Sequence, residues 1–172
     1  TFTGVNLSTT VDFTTVDAAG SIVVNNSISW ISQGLGNDVA GVGDFNGDGY
    51  DDVIIGAYKE SLYGSSYTQE GVVYVVYGNS TGTVPTINGT IANSQGFKLM
   101  GGEMNWLGWA VSGVGDINGD GYSDLMLASG NDLRSGVGSA SYVVYGRSAM
   151  SDTTGYNQGP RIAGAYHAIS GA

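Results

Sequence analysis

Two nine-residue stretches hold most of the groups in this chain that could do chemistry. Asp44-Phe45-Asn46-Gly47-Asp48-Gly49-Tyr50-Asp51-Asp52 recurs 72 residues later as Asp116-Ile117-Asn118-Gly119-Asp120-Gly121-Tyr122-Ser123-Asp124. Each copy puts a side-chain oxygen at positions 1, 3, 5 and 9 and a glycine at position 6. Hard cations take such oxygen-rich, sharply turned loops. Asp44, Asn46, Asp48 and Asp52, with the Tyr50 carbonyl at position 7, are expected to converge on one ion. Asp116, Asn118, Asp120 and Asp124, with the Tyr122 carbonyl, are expected to hold a second. Carboxylates without His or Cys favour Ca²⁺ over zinc or copper.

The flanks say which elements must position these loops. Val39-Ala40-Gly41-Val42-Gly43 and Val111-Ser112-Gly113-Val114-Gly115 lead in; Val53-Ile54-Ile55-Gly56-Ala57 and Leu125-Met126-Leu127-Ala128-Ser129 lead out. An EF-hand would carry Glu at position 12. Here that position is Ile55 or Leu127, inside an aliphatic run, so each ion is expected between two strands. A metal-free hairpin is the alternative, because Asn-Gly and Asp-Gly are strong hairpin signals. Against it, aspartates crowded into a bare turn repel one another unless a cation joins them.

The full run Gly-x-x-Val-x-x-Val-Gly-Asp-x-Asn-Gly-Asp-Gly-Tyr-x-Asp, followed by an aliphatic strand, resembles the FG-GAP repeat. That repeat forms the blades of the integrin α-chain β-propeller and of many secreted proteins. The resemblance implies four-stranded antiparallel blades with Ca²⁺ in the loop between the first two strands of each. The chain departs from the family in number: the family's closed propellers carry about seven blades, and this chain has about two repeats.

Composition agrees with an all-β fold. Thirty glycines and 12% charged residues describe a turn-rich β protein. No apolar run is long enough to span a membrane as a helix, so no membrane insertion is expected. The net charge is −10, with seven of the fifteen acids in the two loops. That acidity argues against nucleic acid, whose phosphates need Lys and Arg, and the five basic residues are scattered. The absence of cysteine leaves the redox compartment open. Sites lacking a bidentate Glu should bind Ca²⁺ modestly, which fits the millimolar concentrations outside cells.

The repeat divides the chain into four segments. Residues 1–19 read as strand material completing a preceding unit, residues 20–95 as the first repeat, 96–158 as the second, and 159–172 as the opening strand of a third. Thr1-Phe2-Thr3-Gly4 resembles neither a start nor a signal peptide, so a mature product or an excerpt is expected. Val72-Val73-Tyr74-Val75-Val76-Tyr77 and Val53-Ile54-Ile55 are continuous apolar runs, which implies cover on both faces. Units of this kind need neighbours. Further copies of the chain, or adjoining repeats, are therefore the expected partners, in a larger propeller or a head-to-tail filament.

Asn6, Asn25, Asn79 and Asn88 each open an N-glycosylation acceptor triplet. Catalysis finds little footing. His167, the single histidine, has no acid beside it, and Gly78-Asn79-Ser80-Thr81-Gly82 matches a nucleophile elbow without the helix such an elbow opens. Trp30 and Trp106 stand at comparable places in the two units, as packing residues would. The sequence thus points to a non-catalytic, Ca²⁺-stabilised extracellular or cell-surface module for structure or adhesion. The alternative is a ligand-binding propeller segment, lectin-like or accessory to a secreted hydrolase, using Trp109, Tyr63 and Tyr67 on glycans.

Overall fold

The computed structural model describes residues 34–61, 69–81, 87, 91–102, 105–130 and 139–148. The segments 1–19 and 159–172, with Trp30, Tyr63, Tyr67, His167, Asn6, Asn25 and Asn88, lie outside the described residues. Among the described residues, seven strands make two antiparallel sheets. Strands β1 (Leu35–Gly43), β2 (Asp52–Ala57), β3 (Val72–Val76) and β4 (Gly96–Met100) form the first, in that order. Strands β5 (Leu107–Gly115), β6 (Asp124–Ser129) and β7 (Ser141–Val144) form the second. The architecture is the all-β, bladed one that the sequence predicts, with no helix among the described residues.

The two acidic loops are the turns from β1 to β2 and from β5 to β6. Both lead-in strands are irregular at matching places. The β1–β2 register shifts between Leu35 and Val39 and again between Gly41 and Gly43; β5–β6 shifts between Leu107 and Ala110 and between Gly113 and Gly115. An extra residue in one strand bends it and re-aims the chain beyond the bulge. The second shift, just before the loop, therefore sets the angle at which each acidic turn leaves its sheet.

Alternation divides the residues of the first sheet between two apolar layers. Ile54, Val73, Val75, Phe97 and Leu99 face the second sheet and meet Leu107, Val111, Leu125 and Leu127 there, with Val42 and Phe45 at the loop end. Ile55, Ala57, Val72, Tyr74, Val76 and Met100 form the opposite layer, with Ile87 and Ile91 against them. Every residue of β3 is buried, which agrees with the expectation of cover on both faces. The sheets approach closely at their first strands: a Cβ on Gly113 would lie 2.4 Å from the Gly41 carbonyl oxygen. Glycine lets β1 and β5 meet backbone to backbone.

Strand β4 shows that sheet and sequence repeat are out of phase. Gly96–Met100 opens the second repeat in the sequence reading, yet it pairs antiparallel with β3, Val75 opposite Phe97 and Val73 opposite Leu99. The repeat is defined by the order of motifs along the chain, whereas the sheet closes on whichever strand completes its ladder.

A buried polar group sits in the outer layer. The Tyr74 hydroxyl donates to Glu60 Oε1 at 2.6 Å, and Lys98 is the cross-strand neighbour of Tyr74. Burial pushes the Glu60 carboxyl up to about 7, against the opposing pull of the Tyr74 hydrogen bond and the Lys98 charge. Burial also raises the Tyr74 hydroxyl, and the Glu60 charge and hydrogen bond add to this.

Candidate metal centres

Each loop is folded by its own side chains. Asp44 Oδ1 accepts from the amides of Gly47 (2.7 Å) and Asp48 (3.0 Å), and Oδ2 accepts from Gly49 (2.9 Å). Asn46 Oδ1 takes the Asp48 amide at 2.9 Å, while its Nδ2 donates to Asp48 Oδ2 at 2.8 Å. Asp48 Oδ1 then accepts from the Tyr50 amide at 2.9 Å. Asp and Asn side chains suit this work because they reach the backbone two to five residues on. Position 6 carries the tight turn: Gly49 has φ +90° and Gly121 φ +91°, in the region that side chains disfavour.

The second loop repeats the first bond for bond. Asp116 accepts from Gly119, Asp120 and Gly121; Asn118 bridges the Asp120 amide and carboxylate; Asp120 accepts from Tyr122. The amides of Gly121, Gly119 and Asp120, with Gly121 contributing most, hold the Asp116 carboxyl below its ordinary value.

The position-9 aspartates stand apart from the other three. Asp52 is fully buried and uses both oxygens on backbone amides, Oδ2 on Phe45 (2.9 Å) and Oδ1 on Gly78 (2.8 Å). Asp124 does the same with Ile117 and Gly146, both at 2.9 Å. Each braces the base of its loop against the end of the third strand of its sheet. Burial pushes Asp52 up to about 6, despite the amides of Gly78 and Phe45; the Asp48 charge pushes the same way.

The structure therefore brings positions 1, 3 and 5 together and places position 9 beneath them. Among the described residues, no three carboxylates converge on one point as a ready-formed cage. The donor set still fits a hard dication. It is oxygen throughout, the oxygens of positions 1 and 3 share one amide, and positions 3 and 5 touch. The tips of the loops, residues 47–51 and 116–121, are exposed, so an ion needs no entry channel.

Several contacts between the sheets carry no signal in the repeat itself. Asp38 Oδ2 accepts the Val111 amide at 2.8 Å, and Asn37 Nδ2 donates to the Trp109 carbonyl at 2.9 Å. Their counterparts one repeat on are Trp109 and Ala110, so the departure from exact repetition was the available clue. Trp106 aligns with Gly34 rather than with Trp30, and both Trp106 and Gly34 have positive φ (+55° and +84°). Trp106 packs with Trp109 at 6.2 Å between ring centroids, and Tyr58 meets Trp109 edge-on at 4.9 Å. Trp109 remains 49% exposed. Asn79 is exposed just beyond β3, and its Oδ1 accepts from both the amide and the hydroxyl of Thr81.

Antiparallel sheets stacked face to face, each with an acidic turn joining its first two strands, define a propeller-blade protein. The chain carries two copies of the FG-GAP repeat, matched at residues 36–76 and 107–145. It is distantly similar to integrin alpha chains. Integrin alpha-4 of Xenopus laevis is 33% identical over 95 residues, covering 55% of this chain and 8% of that protein. Integrin alpha pat-2 of Caenorhabditis elegans is 33% identical over 97 residues, covering 55% of this chain and 7% of that protein. Human integrin alpha-6 is 34% identical over 102 residues, covering 59% of this chain and 8% of that protein. The chain thus spans under a tenth of the length of these relatives.

Proposed function

We propose that this chain is a non-catalytic, Ca²⁺-stabilised structural or adhesive module that works outside the cell as part of a larger bladed assembly. The observation that carries this reading is the duplicated loop, in which the same three oxygen-bearing side chains gather at the same turn in both sheets. Asp44, Asn46 and Asp48 would hold one ion and Asp116, Asn118 and Asp120 the other, with Asp52, Asp124 and the carbonyls of Tyr50 and Tyr122 completing the shells. A bound dication would supply the positive charge that lets the carboxylates remain close. The side chains do the mechanical work, tying the turn to both strands so that metal binding becomes partly folding energy.

Assembly with further units is supported by the second sheet. Met126, on the face of that sheet away from the first, is 37% exposed among the described residues. Partners of the same kind, adjoining repeats or further copies joined head to tail, would cover that face. No helix among the described residues is long and apolar enough to cross a membrane. The similarity to integrin alpha chains and the exposed acceptor Asn79 support an extracellular setting in which Asn79 carries a glycan. A sugar-binding role for Trp109 draws no support from its packing against Trp106 and Tyr58.

Light scattering and thermal melting of the purified chain, in Ca²⁺ and then in chelator, test the reading. We expect a higher Tm and larger particles in Ca²⁺, both lost in chelator. Identical Tm and mass in the two conditions would reject the metal-stabilised assembly.

A further inference from the structure

The two acidic loops touch each other across the seam between the sheets. The Ser123 amide donates to the Asp44 carbonyl at 2.9 Å, and the Arg147 amide donates to the Phe45 carbonyl at 3.0 Å. The Tyr122 ring lies on Gly47, where an added Cβ would come within 2.4 Å of Cε1. So position 1 of the first loop is bonded to position 8 of the second, and position 4 of the first is covered by position 7 of the second.

The hydrogen bonds form a continuous chain. The peptide unit between Tyr122 and Ser123 carries the carbonyl offered by the second loop as a ligand, and its N–H goes to the Asp44 carbonyl. That carbonyl belongs to the peptide unit whose other end, the Phe45 N–H, goes to Asp52 Oδ2. Asp44 and Asp52 are positions 1 and 9 of the first loop. A peptide unit is planar and rigid, so turning one end turns the other. Ordering the Tyr122–Ser123 peptide in the second loop therefore orients the Asp44–Phe45 peptide in the first.

We propose that the two loops bind cations cooperatively, with Tyr122 and Ser123 as positioning residues for the first loop as well as members of the second. This rests on reading the loops as cation sites. Filling one loop orders the surface against which the other must form, so the second ion meets less of the ordering cost. Electrostatics work against it, because the first dication makes the field at the other loop less negative; solvent screening at the exposed loop tips keeps that repulsion small, and the shared ordering outweighs it. Among the described residues the contact is made in one direction along the repeat: Gly119, the counterpart of Gly47, has nothing within 4 Å, and Tyr50, the counterpart of Tyr122, is 43% exposed.

The test is a Ca²⁺ titration of the full chain, following the Gly49 and Gly121 amides by NMR as separate reporters of the two loops. In the wild type both amides should shift over one narrow concentration range. Asp120→Ala should raise the midpoint at Gly49 by at least about fivefold, the lower end of ordinary coupling, although no first-loop residue has changed. Asp120→Asn keeps an acceptor for the Tyr122 amide and guards against loss of fold; it should shift Gly49 in the same direction. Tyr122→Ala should raise the Gly49 midpoint, and Tyr122→Phe, which keeps the ring on Gly47, should restore it. A Gly49 midpoint unchanged in Asp120→Ala and Asp120→Asn, while the Gly121 response is weakened, would overturn the coupling and leave two independent metal sites. Wild-type amides that do not respond to Ca²⁺ would instead overturn the metal reading itself.

Discussion

Strands β2 and β6 occupy the same place in their repeats, come after the same loop and pair with the same kind of bulged strand, yet their surroundings differ. Ile54 is fully buried, while Met126, its counterpart 72 residues on, is 37% exposed. The five residues of β3 are all buried, whereas those of β7 are partly or wholly open. The local geometry is shared because the motif that makes it is shared. Burial differs because it belongs to the neighbour: the first sheet has the second packed on its Ile54 face, and among the described residues nothing plays that part for Met126. A repeat sequence thus writes the same half-interface twice, and among the described residues only one copy is filled.

The sharpest way to break that comparison is to cut into both faces of β6. Leu127→Ala, which opens a cavity between the sheets, should cost about 2–5 kcal/mol, while Met126→Ala should stay within about 0.5 kcal/mol. Chemical denaturation would show it, and equal losses would mean that the Met126 face is covered in solution. Next in size is the contrast within one loop. Asp52→Ala strands the amides of Phe45 and Gly78 and should cost about 2–4 kcal/mol even in chelator. Asp48→Ala should cost less in chelator and should instead abolish the Ca²⁺-dependent rise in Tm.

Glu60 tests the sealed outer layer of the first sheet. Its folded carboxyl is raised to about 7 from an ordinary 4.5, so between these values the folded state binds more protons than the unfolded. Its contribution is fully present below about pH 4.5 and is lost as pH rises towards about 7. Glu60→Gln should remove that slope, worth on the order of 1–3 kcal/mol, from the pH dependence of stability measured in saturating Ca²⁺. An unchanged slope would mean that the carboxyl is not sealed. The smallest effect is expected at the seam. Asp38→Ala should cost about 1–2 kcal/mol by freeing the Val111 amide, and Ala110→Asp, the same exchange in reverse one repeat on, should be close to neutral.

The strands leaving each loop, the strand 72–76 and the strand 141–144 were legible because their apolar runs are bounded by glycine and polar turns. The lead-in strands were harder to see. Leu35–Gly43 mixes Asn, Asp and glycine with its aliphatic residues, and its two register shifts break the alternation that marks a strand. The loops were legible as oxygen clusters, but position 9 was not separable from positions 1, 3 and 5 by type alone. Aspartate can bind a cation or brace two amides, and the difference lies in which amides stand nearby.

By itself, then, the sequence determined that two like units exist, that each folds an acidic turn between two strands, and that each turn carries side-chain oxygens at positions 1, 3 and 5. These are local properties, decided by residues within about five positions of one another. The tertiary structure alone decided that Gly96–Met100 completes the first sheet, that Glu60 lies sealed beneath Tyr74, and that Asp44 and Ser123 share a hydrogen bond. Each of those joins groups far apart in the chain, and a pattern repeated along a chain says nothing of which copy will face which until the sheets have packed.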